Sequence, residues 1–293
     1  MIVVDAHQHF WDPTRDDYGW LAPSNVQLYR RFGPDNLSPL LAESGAASTV
    51  LVQAAASEDE TKYLFSLAAR HKFVAGVVGW VDFEAEDVAQ RIAALVASSH
   101  GMLKGLRAMI QDIPDVSWLA QPKLDPAFMA MIQHGLAFDA LVMPRHLSLL
   151  RDRLRMHPHL RAVLDHAGKP DIAGGDYDGW AADIERLARD TNVHCKLSGL
   201  LTQAGPGAGA AALGDFVAHI FRCFGSERVM WGSDWPVLTT SSTYGAWLEI
   251  ARTLVNRYAA GSEQAVFFEN AVRFYDLDRP AQGQFTPPTA RAS

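Results

Sequence analysis

Eight short runs of β-branched and small apolar residues alternate with longer amphipathic segments along most of the 293-residue chain. This alternation is typical of repeated strand and helix units around a parallel sheet. In the longer segments apolar residues recur at spacings of three and four, which predicts helices. The predicted strands are 2–6, 49–54, 74–81, 103–110, 137–142, 162–164, 193–197 and 228–231, and the predicted helices include 58–71, 84–98, 145–157, 180–190 and 209–224.

Eight strand and helix units favour an α/β fold of the closed (β/α)₈ TIM-barrel type over an open doubly wound sheet. An open sheet would be expected to carry a glycine-rich phosphate turn after its first strand, whereas this chain continues Asp5-Ala6-His7-Gln8-His9. Barrels of this kind need about 250 residues plus insertions. We therefore predict a single barrel domain over residues 1–277, with a loosely ordered tail at 278–293 and insertions at 10–34 and 113–126 that shape the barrel mouth.

Composition narrows the class of partner. The formal net charge is −7, and no run of lysine and arginine occurs, which excludes nucleic acid and anionic membrane as expected partners. No apolar run approaches the ~20 residues of a membrane span, and the N-terminus lacks a basic leader segment. We expect a cytoplasmic protein, either monomer or homodimer, that acts on a small molecule.

The two cysteines are assigned no function. Cys195 falls in a predicted strand and Cys223 in a predicted helix, and the two are not part of a C-x-x-C motif. Free thiols in such positions are commonly buried and inert. We expect both to be unbridged.

In a barrel of this type the chemistry lies at the carboxyl ends of the strands. His7 and His9 follow the first predicted strand, and side chains two residues apart in a strand point to the same side. Two converging imidazoles suit a borderline cation such as Zn²⁺. The H-x-H pattern by itself is weak, because the chain has 11 histidines.

Two further polar residues stand at predicted strand ends. His166 follows the apolar run 162–164, and Asp234 follows the run 229–232. Taken separately, His166 also fits a hydrogen-bonded core histidine, and Asp234 also fits a helix N-cap. Their shared position at strand ends favours a common site with His7 and His9.

Four ordered motifs resemble the amidohydrolase-2 branch of the amidohydrolase superfamily, and the resemblance extends over residues 1–277. Within that branch the chain looks most similar to bacterial sugar lactonases of the L-fucono- and L-rhamnono-lactone type. The resemblance implies a barrel hydrolase whose metal-binding and catalytic residues are His7, His9, His166 and Asp234. The motifs are Asp5-Ala6-His7-Gln8-His9-Phe10-Trp11, Leu164-Asp165-His166-Ala167-Gly168-Lys169-Pro170, Cys195-Lys196-Leu197-Ser198-Gly199 and Gly232-Ser233-Asp234-Trp235-Pro236.

The resemblance also limits the metal content. Binuclear relatives bridge two metals with a Lys or Glu on strand four and add a histidine from strand five, but strand five here reads Ala137-Phe138-Asp139-Ala140. A two-metal site is therefore not expected. One divalent cation, most readily Zn²⁺, and a metal-free mechanism both remain open, and in either case Asp234 is the expected general base for water attack on the lactone carbonyl.

Aromatic and polar residues near the predicted mouth are candidate substrate contacts. Indole rings pack against the C–H faces of sugars, while hydroxyl groups need donors and acceptors. Arg107 and Lys196 also suit a carboxylate or sulfonate, which keeps open the pyrone-dicarboxylate and sulfomuconolactone types of substrate. The candidates are Trp11, Trp20, Gln53, Trp80, Arg107, Gln111, Lys196 and Trp235.

Two other functions remain as alternatives. A metal-dependent, non-hydrolytic decarboxylation occurs in the same superfamily branch and would release CO₂, whereas lactone opening releases a proton. A barrel that only binds or serves as a scaffold would not need polar groups at four separate strand ends. We therefore predict a carboxylic ester hydrolase that opens a small sugar-acid lactone.

Overall fold

The computed structural model describes residues 2–279 and has the predicted barrel architecture. Its eight strands are all parallel and pair in chain order, β1 with β2 and onward to β8. Most of the predicted tail, residues 280–293, lies outside the described residues. The strands are β1 (Val3–Gln8), β2 (Ala46–Val52), β3 (Val74–Gly79), β4 (Leu103–Leu106), β5 (Ala137–Ala140), β6 (Ala162–Leu164), β7 (His194–Leu197) and β8 (Val229–Trp231).

The first and last strands meet at the mouth of the barrel. The backbone N–H of Asp234 donates to the carbonyl of His7 at 2.8 Å, and the N–H of His9 donates to the carbonyl of Trp235 at 2.7 Å. The same backbone that closes the barrel therefore carries four of the predicted site residues. Strand β1 is longer than predicted and includes His7, and its pairing with β2 shifts register between Asp5 and Gln8. Such irregularities commonly re-aim side chains beside active sites.

Helices cover the outside of the barrel, and several start later or end earlier than their sequence pattern predicts. The helix predicted from residue 84 begins at Val88, because Glu84–Asp87 lie in turns, and the helix predicted from 145 begins at Leu147 after a 3₁₀ turn. The helices are α1 (Pro34–Ser44), α2 (Glu58–Ala68), α3 (Val88–Ser98), α4 (Asp125–Gln133), α5 (Leu147–Met156), α6 (Asp178–Asp190), α7 (Leu200–Ala204), α8 (Ala210–Phe224), α9 (Tyr244–Tyr258) and α10 (Asn270–Tyr275).

Two apolar clusters stabilise the barrel. The larger one lies between the strands and the outer helices, and the smaller one fills the barrel interior. Phe274 and Tyr275 of α10 pack into the interior cluster with Val4 and Val50, so this terminal helix covers the end of the barrel opposite the mouth. The interior is thus a packed core, and the mouth is the end left for a ligand.

Both cysteines are free, with Cys195 buried in β7 and Cys223 partly buried in α8. Within residues 2–279, every helix falls short of the length and hydropathy that crossing a bilayer requires.

Candidate active site

Four side chains from three strand ends lie together at the mouth. His7 is in β1, His9 follows it, His166 follows β6, and Asp234 follows β8. Oδ1 of Asp234 lies 3.4 Å from Nε2 of His9, 3.8 Å from Nε2 of His166 and 3.9 Å from Nε2 of His7. Nε2 of His7 and Nε2 of His9 are 3.2 Å apart. One carboxylate oxygen is therefore surrounded by three imidazole nitrogens.

In two of these imidazoles, the Nδ1 atom on the side of the ring away from the cluster forms a hydrogen bond to a group from another part of the barrel. Nδ1 of His9 lies 2.8 Å from the carbonyl of Val52, and Nδ1 of His166 lies 2.9 Å from Oγ of Ser198. A proton on Nδ1 of His9 satisfies that carbonyl, which leaves Nε2 without a proton and with its lone pair directed at the cluster. The equivalent bond to Ser198 fixes the ring plane of His166.

Unusual backbone geometry places two of the four residues. His166 and Asp234 have φ values of 53° and 58°, in the left-handed region that non-glycine residues seldom occupy. Neighbouring glycines leave the space that this geometry requires: a Cβ at Gly232 would lie 2.7 Å from Cβ of His7. Backbone strain of this kind is concentrated at functional sites.

Below His7 lies a buried charged network. Nζ of Lys196 is 3.0 Å from Nδ1 of His7, 2.6 Å from Oδ2 of Asp139 and 3.1 Å from Oδ1 of Asp165. The hydroxyl of Tyr275 donates to the same oxygen of Asp139 at 2.7 Å. The two carboxylates compensate the charge of Lys196, which is fully buried. Lys196 therefore supports His7 and does not line the mouth.

Arg107 is held on the other side of His7. Its Nη2 donates to Oε1 of Gln53 at 2.8 Å, and its Nη1 lies 3.3 Å from both Nε2 of His7 and Oδ2 of Asp165. Gln53 is fully buried and serves to orient the guanidinium. Arg107 lines the cavity at the mouth and brings a positive charge to it.

Burial controls the protonation of the cluster. Desolvation lowers the pKa of His7 well below its usual value, lowers the pKa of His9, and lowers the pKa of His166 to about 4. Burial by itself would raise the pKa of Asp234, but the three imidazoles, His166 most strongly, hold that pKa below its usual value. At neutral pH the cluster therefore consists of neutral imidazoles and an ionised carboxylate.

A cavity of 170 Å³ opens above the cluster, and we call it the reaction cavity. Of the predicted substrate contacts, four line it, namely Trp11, Trp20, Arg107 and Gln111. Trp235 does not, and its ring packs edge to face against Phe10 and Phe32 instead. The full lining is His9, Trp11, Trp20, Ala54, Arg107, Met109, Gln111, Leu141, His166, Lys169, Asp234 and Val237.

A second cavity of 670 Å³ adjoins the first, and we call it the outer chamber. Trp20 and Met109 line both cavities, and Trp80 lines only the outer chamber. The segment 113–126, predicted as a mouth insertion, contributes Ile113 and Trp118 to its wall. The predicted substrate contacts are thus divided between two cavities and the layer beneath them.

Lys169 is the lining residue of most chemical interest that the sequence did not single out. It lies directly after the turn of His166, and its ammonium donates to the side-chain oxygen of Gln111. Burial lowers its pKa from the ordinary lysine value. The signal that could have identified it is its position in the motif Asp165-His166-Ala167-Gly168-Lys169, three residues after a site histidine.

The donor set fits a divalent metal. Donor atoms of His7, His9 and Asp234 all lie within 4.8 Å of one another. Neutral imidazole and ionised carboxylate are the states in which these groups bind metals, and the bonds at Nδ1 of His9 and His166 are those that orient metal-binding histidines.

The fold is a (β/α)₈ barrel, and its histidines and aspartate lie together at the ends of strands β1, β6 and β8. Together these two features define the class of protein to which the chain belongs. Residues 4–277 match the family model described as Amidohydrolase, and the chain belongs to this family. Its sequence is 44% identical over 285 residues to an L-fucono-1,5-lactonase of Burkholderia ambifaria, covering 96% of this chain and 98% of the relative. It is 35% identical over 301 residues to an L-fucono-1,5-lactonase of Burkholderia multivorans, covering 97% and 99%.

A solved structure supports the same family assignment. An amidohydrolase from Burkholderia multivorans, crystallised with bound zinc, superposes with a TM-score of 0.88 at 32% identity, covering 95% of this chain and all of that chain. The zinc in that structure is consistent with the donor set of the cluster described above.

Proposed function

We propose that this protein hydrolyses a sugar-acid lactone of the L-fucono-1,5-lactone type. The observation that carries the proposal is the carboxylate of Asp234, ionised and surrounded by three imidazoles at the floor of the reaction cavity. The two curated relatives named L-fucono-1,5-lactonase support the substrate class, because each is similar to this chain over nearly its whole length. The reaction is that of a carboxylic ester hydrolase.

In the proposed reaction a water molecule attacks the lactone carbonyl carbon. Asp234 accepts a proton from this water, and its low pKa keeps it ionised before the attack. When the bond from the carbonyl carbon to the ring oxygen breaks, Asp234 returns the proton to that oxygen, which becomes a hydroxyl group. The open-chain acid then ionises, so one proton is released for each lactone opened.

The carbonyl oxygen gains negative charge during the attack. Arg107 and Lys169 are the cationic side chains that line the reaction cavity, and Arg107 is fixed there by Gln53 and Asp165. Donors that are already oriented stabilise such charge without reorganisation. Trp11 and Trp20 also line the cavity, packed edge to face with ring centroids 5.2 Å apart, and provide apolar surface for the C–H face of a sugar ring.

One divalent cation, most readily Zn²⁺, is part of the proposal. His7, His9, His166 and Asp234 would hold it, and when bound it supplies Lewis-acid polarisation of the carbonyl and a lower pKa for water. Nε2 of His7 lies 3.2 Å from Nε2 of His9 and 3.9 Å from Oδ1 of Asp234, so it is positioned to join this set. The groups that move the proton and orient the substrate are still those of the chain.

A lactone panel with proton release as the readout tests the proposal. L-fucono-1,5-lactone and its stereoisomers are compared with carboxylated lactones, after subtraction of spontaneous hydrolysis. We expect the highest kcat/KM for a neutral sugar lactone. Activity confined to carboxylated or sulfonated lactones, or release of CO₂ from an aromatic acid without lactone opening, would replace this function with one of the alternatives.

A further inference from the structure

The reaction proposed above uses no residue that lines only the outer chamber. Pockets that bind small molecules commonly measure about 300–1,000 Å³. The outer chamber, at 670 Å³, falls in this range, whereas the reaction cavity, at 170 Å³, is far smaller. Trp20 and Met109 line both, so the two cavities are direct neighbours at the barrel mouth.

The walls of the outer chamber are aromatic and apolar. Trp20, Trp80 and Trp118 line it together with Phe83. The indole N–H groups of Trp20 and Trp118 already donate to Ala54 and Glu84. Among the described residues no hydrogen bond is formed by the indole N–H of Trp80, which also lines the outer chamber. Flat rings with a free donor suit a group that has C–H faces and hydroxyls.

The polar part of the lining is acidic. Among the described residues the outer chamber is lined by four carboxylate side chains and by no lysine or arginine. Two of them are compensated from outside the lining, because Arg15 pairs with Asp17 and Lys123 pairs with Glu84. The other two, Asp82 and Asp112, are exposed and can accept hydrogen bonds from hydroxyls. This lining disfavours an anionic group and fits a neutral polyhydroxylated one.

From these contacts we propose that the outer chamber binds a second sugar ring linked to the lactone, so that the preferred substrates are glycosylated sugar lactones. The proposal rests on the proposed function for its reaction, which stays the opening of one lactone bond. The second ring stacks on the tryptophans, and its hydroxyls bond to Asp82 and Asp112. The binding energy of this remote ring raises kcat/KM for the opening of the lactone ring.

Ala56 gives a selective test, because it is an exposed loop residue that lines the outer chamber and not the reaction cavity. The Ala56→Phe variant adds an aromatic ring to the wall of the outer chamber and reduces the space for a second sugar ring, and Ala56→Ser at the same position is the matched control. The substrates are L-fucono-1,5-lactone and the lactones made by oxidising galactosyl-L-fucose disaccharides at the anomeric carbon. We expect at least one glycosylated lactone to exceed the parent about tenfold in kcat/KM.

In Ala56→Phe this advantage should disappear while kcat/KM for the parent lactone stays within about twofold of wild type, and Ala56→Ser should behave as wild type. Equal kcat/KM for the parent and all glycosylated lactones would overturn the proposal. So would an advantage that persists in Ala56→Phe.

A binding measurement separates this proposal from the proposed function. Calorimetry compares methyl L-fucoside with the methyl glycosides of the same disaccharides, which contain no lactone. In wild type we expect the tightest-binding disaccharide to bind about tenfold more tightly than the monosaccharide. In Ala56→Phe we expect the disaccharide and the monosaccharide to bind with the same affinity. If no lactone is opened but this difference is present, the proposed function fails and the sugar site stands. If choline binds in the outer chamber and the disaccharides do not, the site recognises a cation and the proposal is wrong.

Discussion

Gly199 lies directly against the imidazole of His166, where a Cβ at position 199 would be 2.7 Å from both Cγ and Nδ1 of the ring. Gly199 follows Ser198, the partner of Nδ1 of His166, so a displacement here also strains that hydrogen bond. Its φ of +66° is in the left-handed region. Both the space and the conformation at this position require glycine.

Gly199→Ala should therefore displace His166 and lower kcat by about 10²-fold, because misplacement of a reacting group by about 1 Å has effects of that size. Gly45→Ala is the matched control, since Gly45 has a φ of +71° with nothing within 4 Å of its Cβ position. Both variants should lose about 1–2 kcal/mol of stability from the left-handed conformation. Comparable kcat values in the two would contradict the role of Gly199.

Asp234→Asn tests the general base. The amide keeps the shape of the side chain but cannot accept a proton at neutral pH, so kcat should fall roughly 10²-fold or more while the Tm stays near that of wild type. An aspartate that only capped a helix would be replaced by asparagine with little effect. Asp16→Asn is the control, because Asp16 is an exposed aspartate with a similar φ of 57°. Turnover near that of wild type in Asp234→Asn would refute the mechanism.

Lys196→Met tests the buried network below His7. The substitution leaves Asp139 and Asp165 without their shared cation, and breaking a buried ion pair in this way costs about 3–5 kcal/mol. Adding Asp139→Asn should recover part of that loss, because Asp139 is the carboxylate left without a cation, whereas Asp165 keeps its contact with Arg107. Chemical denaturation measures both. Lys62→Met, at an exposed pair with Asp59, should leave the free energy of unfolding nearly unchanged. An equally small effect of Lys196→Met would count against the network.

Glu60 predicts a pH dependence of stability. Its buried carboxyl group lies at the backbone N–H groups of Ala54 and Ala55, and burial raises its pKa from 4.5 to about 8. The folded state therefore retains a proton that the unfolded state has lost. This contribution to stability is complete below pH 4.5 and is lost as the pH rises towards 8.

Compared with Glu60→Gln, the free energy of unfolding of the wild type should fall by about 1.4 kcal/mol for each pH unit within this window. Urea denaturation between pH 5 and 8 measures the difference between the two proteins. Glu43→Gln, at an exposed position, corrects for the substitution itself. Parallel curves for wild type and Glu60→Gln would show that Glu60 does not titrate in this way.

Metal analysis tests the cation at the cluster. We expect one divalent ion per chain, because β5 contributes Asp139, which is already paired with Lys196, and no histidine for a second ion. Chelation should lower kcat, and added Zn²⁺ should restore it. A stoichiometry near two, with activity that requires both ions, would show that the comparison of strand five with binuclear relatives is misleading. Full activity after the metal is completely removed would show that the side chains alone carry out the reaction.

The barrel was predictable from the sequence because its signal is local. Each strand and helix unit carries its own alternation of apolar residues, and closure follows from repetition of the unit. The strand ends, together with the family motifs, also identified His7, His9, His166 and Asp234 as a set, because parallel strands bring their carboxyl ends to one face whatever their order. Helix starts near 84 and 145 were wrong by a few residues, since turns there precede the first helical hydrogen bonds.

What surrounds the cluster was decided only by the tertiary structure. Lys196 and Gln53 are polar residues at strand ends, like the site residues themselves, and only the folded barrel shows that they point below the cavity, to His7 and Arg107. The partners of Lys196 lie in β1, in β5 and directly after β6, far apart along the chain. A local sequence pattern cannot predict such long-range contacts. The outer chamber likewise exists only where loops after several strands pack beside one another. Sequence determined which residues reach the mouth, and three-dimensional packing determined which of them face a ligand.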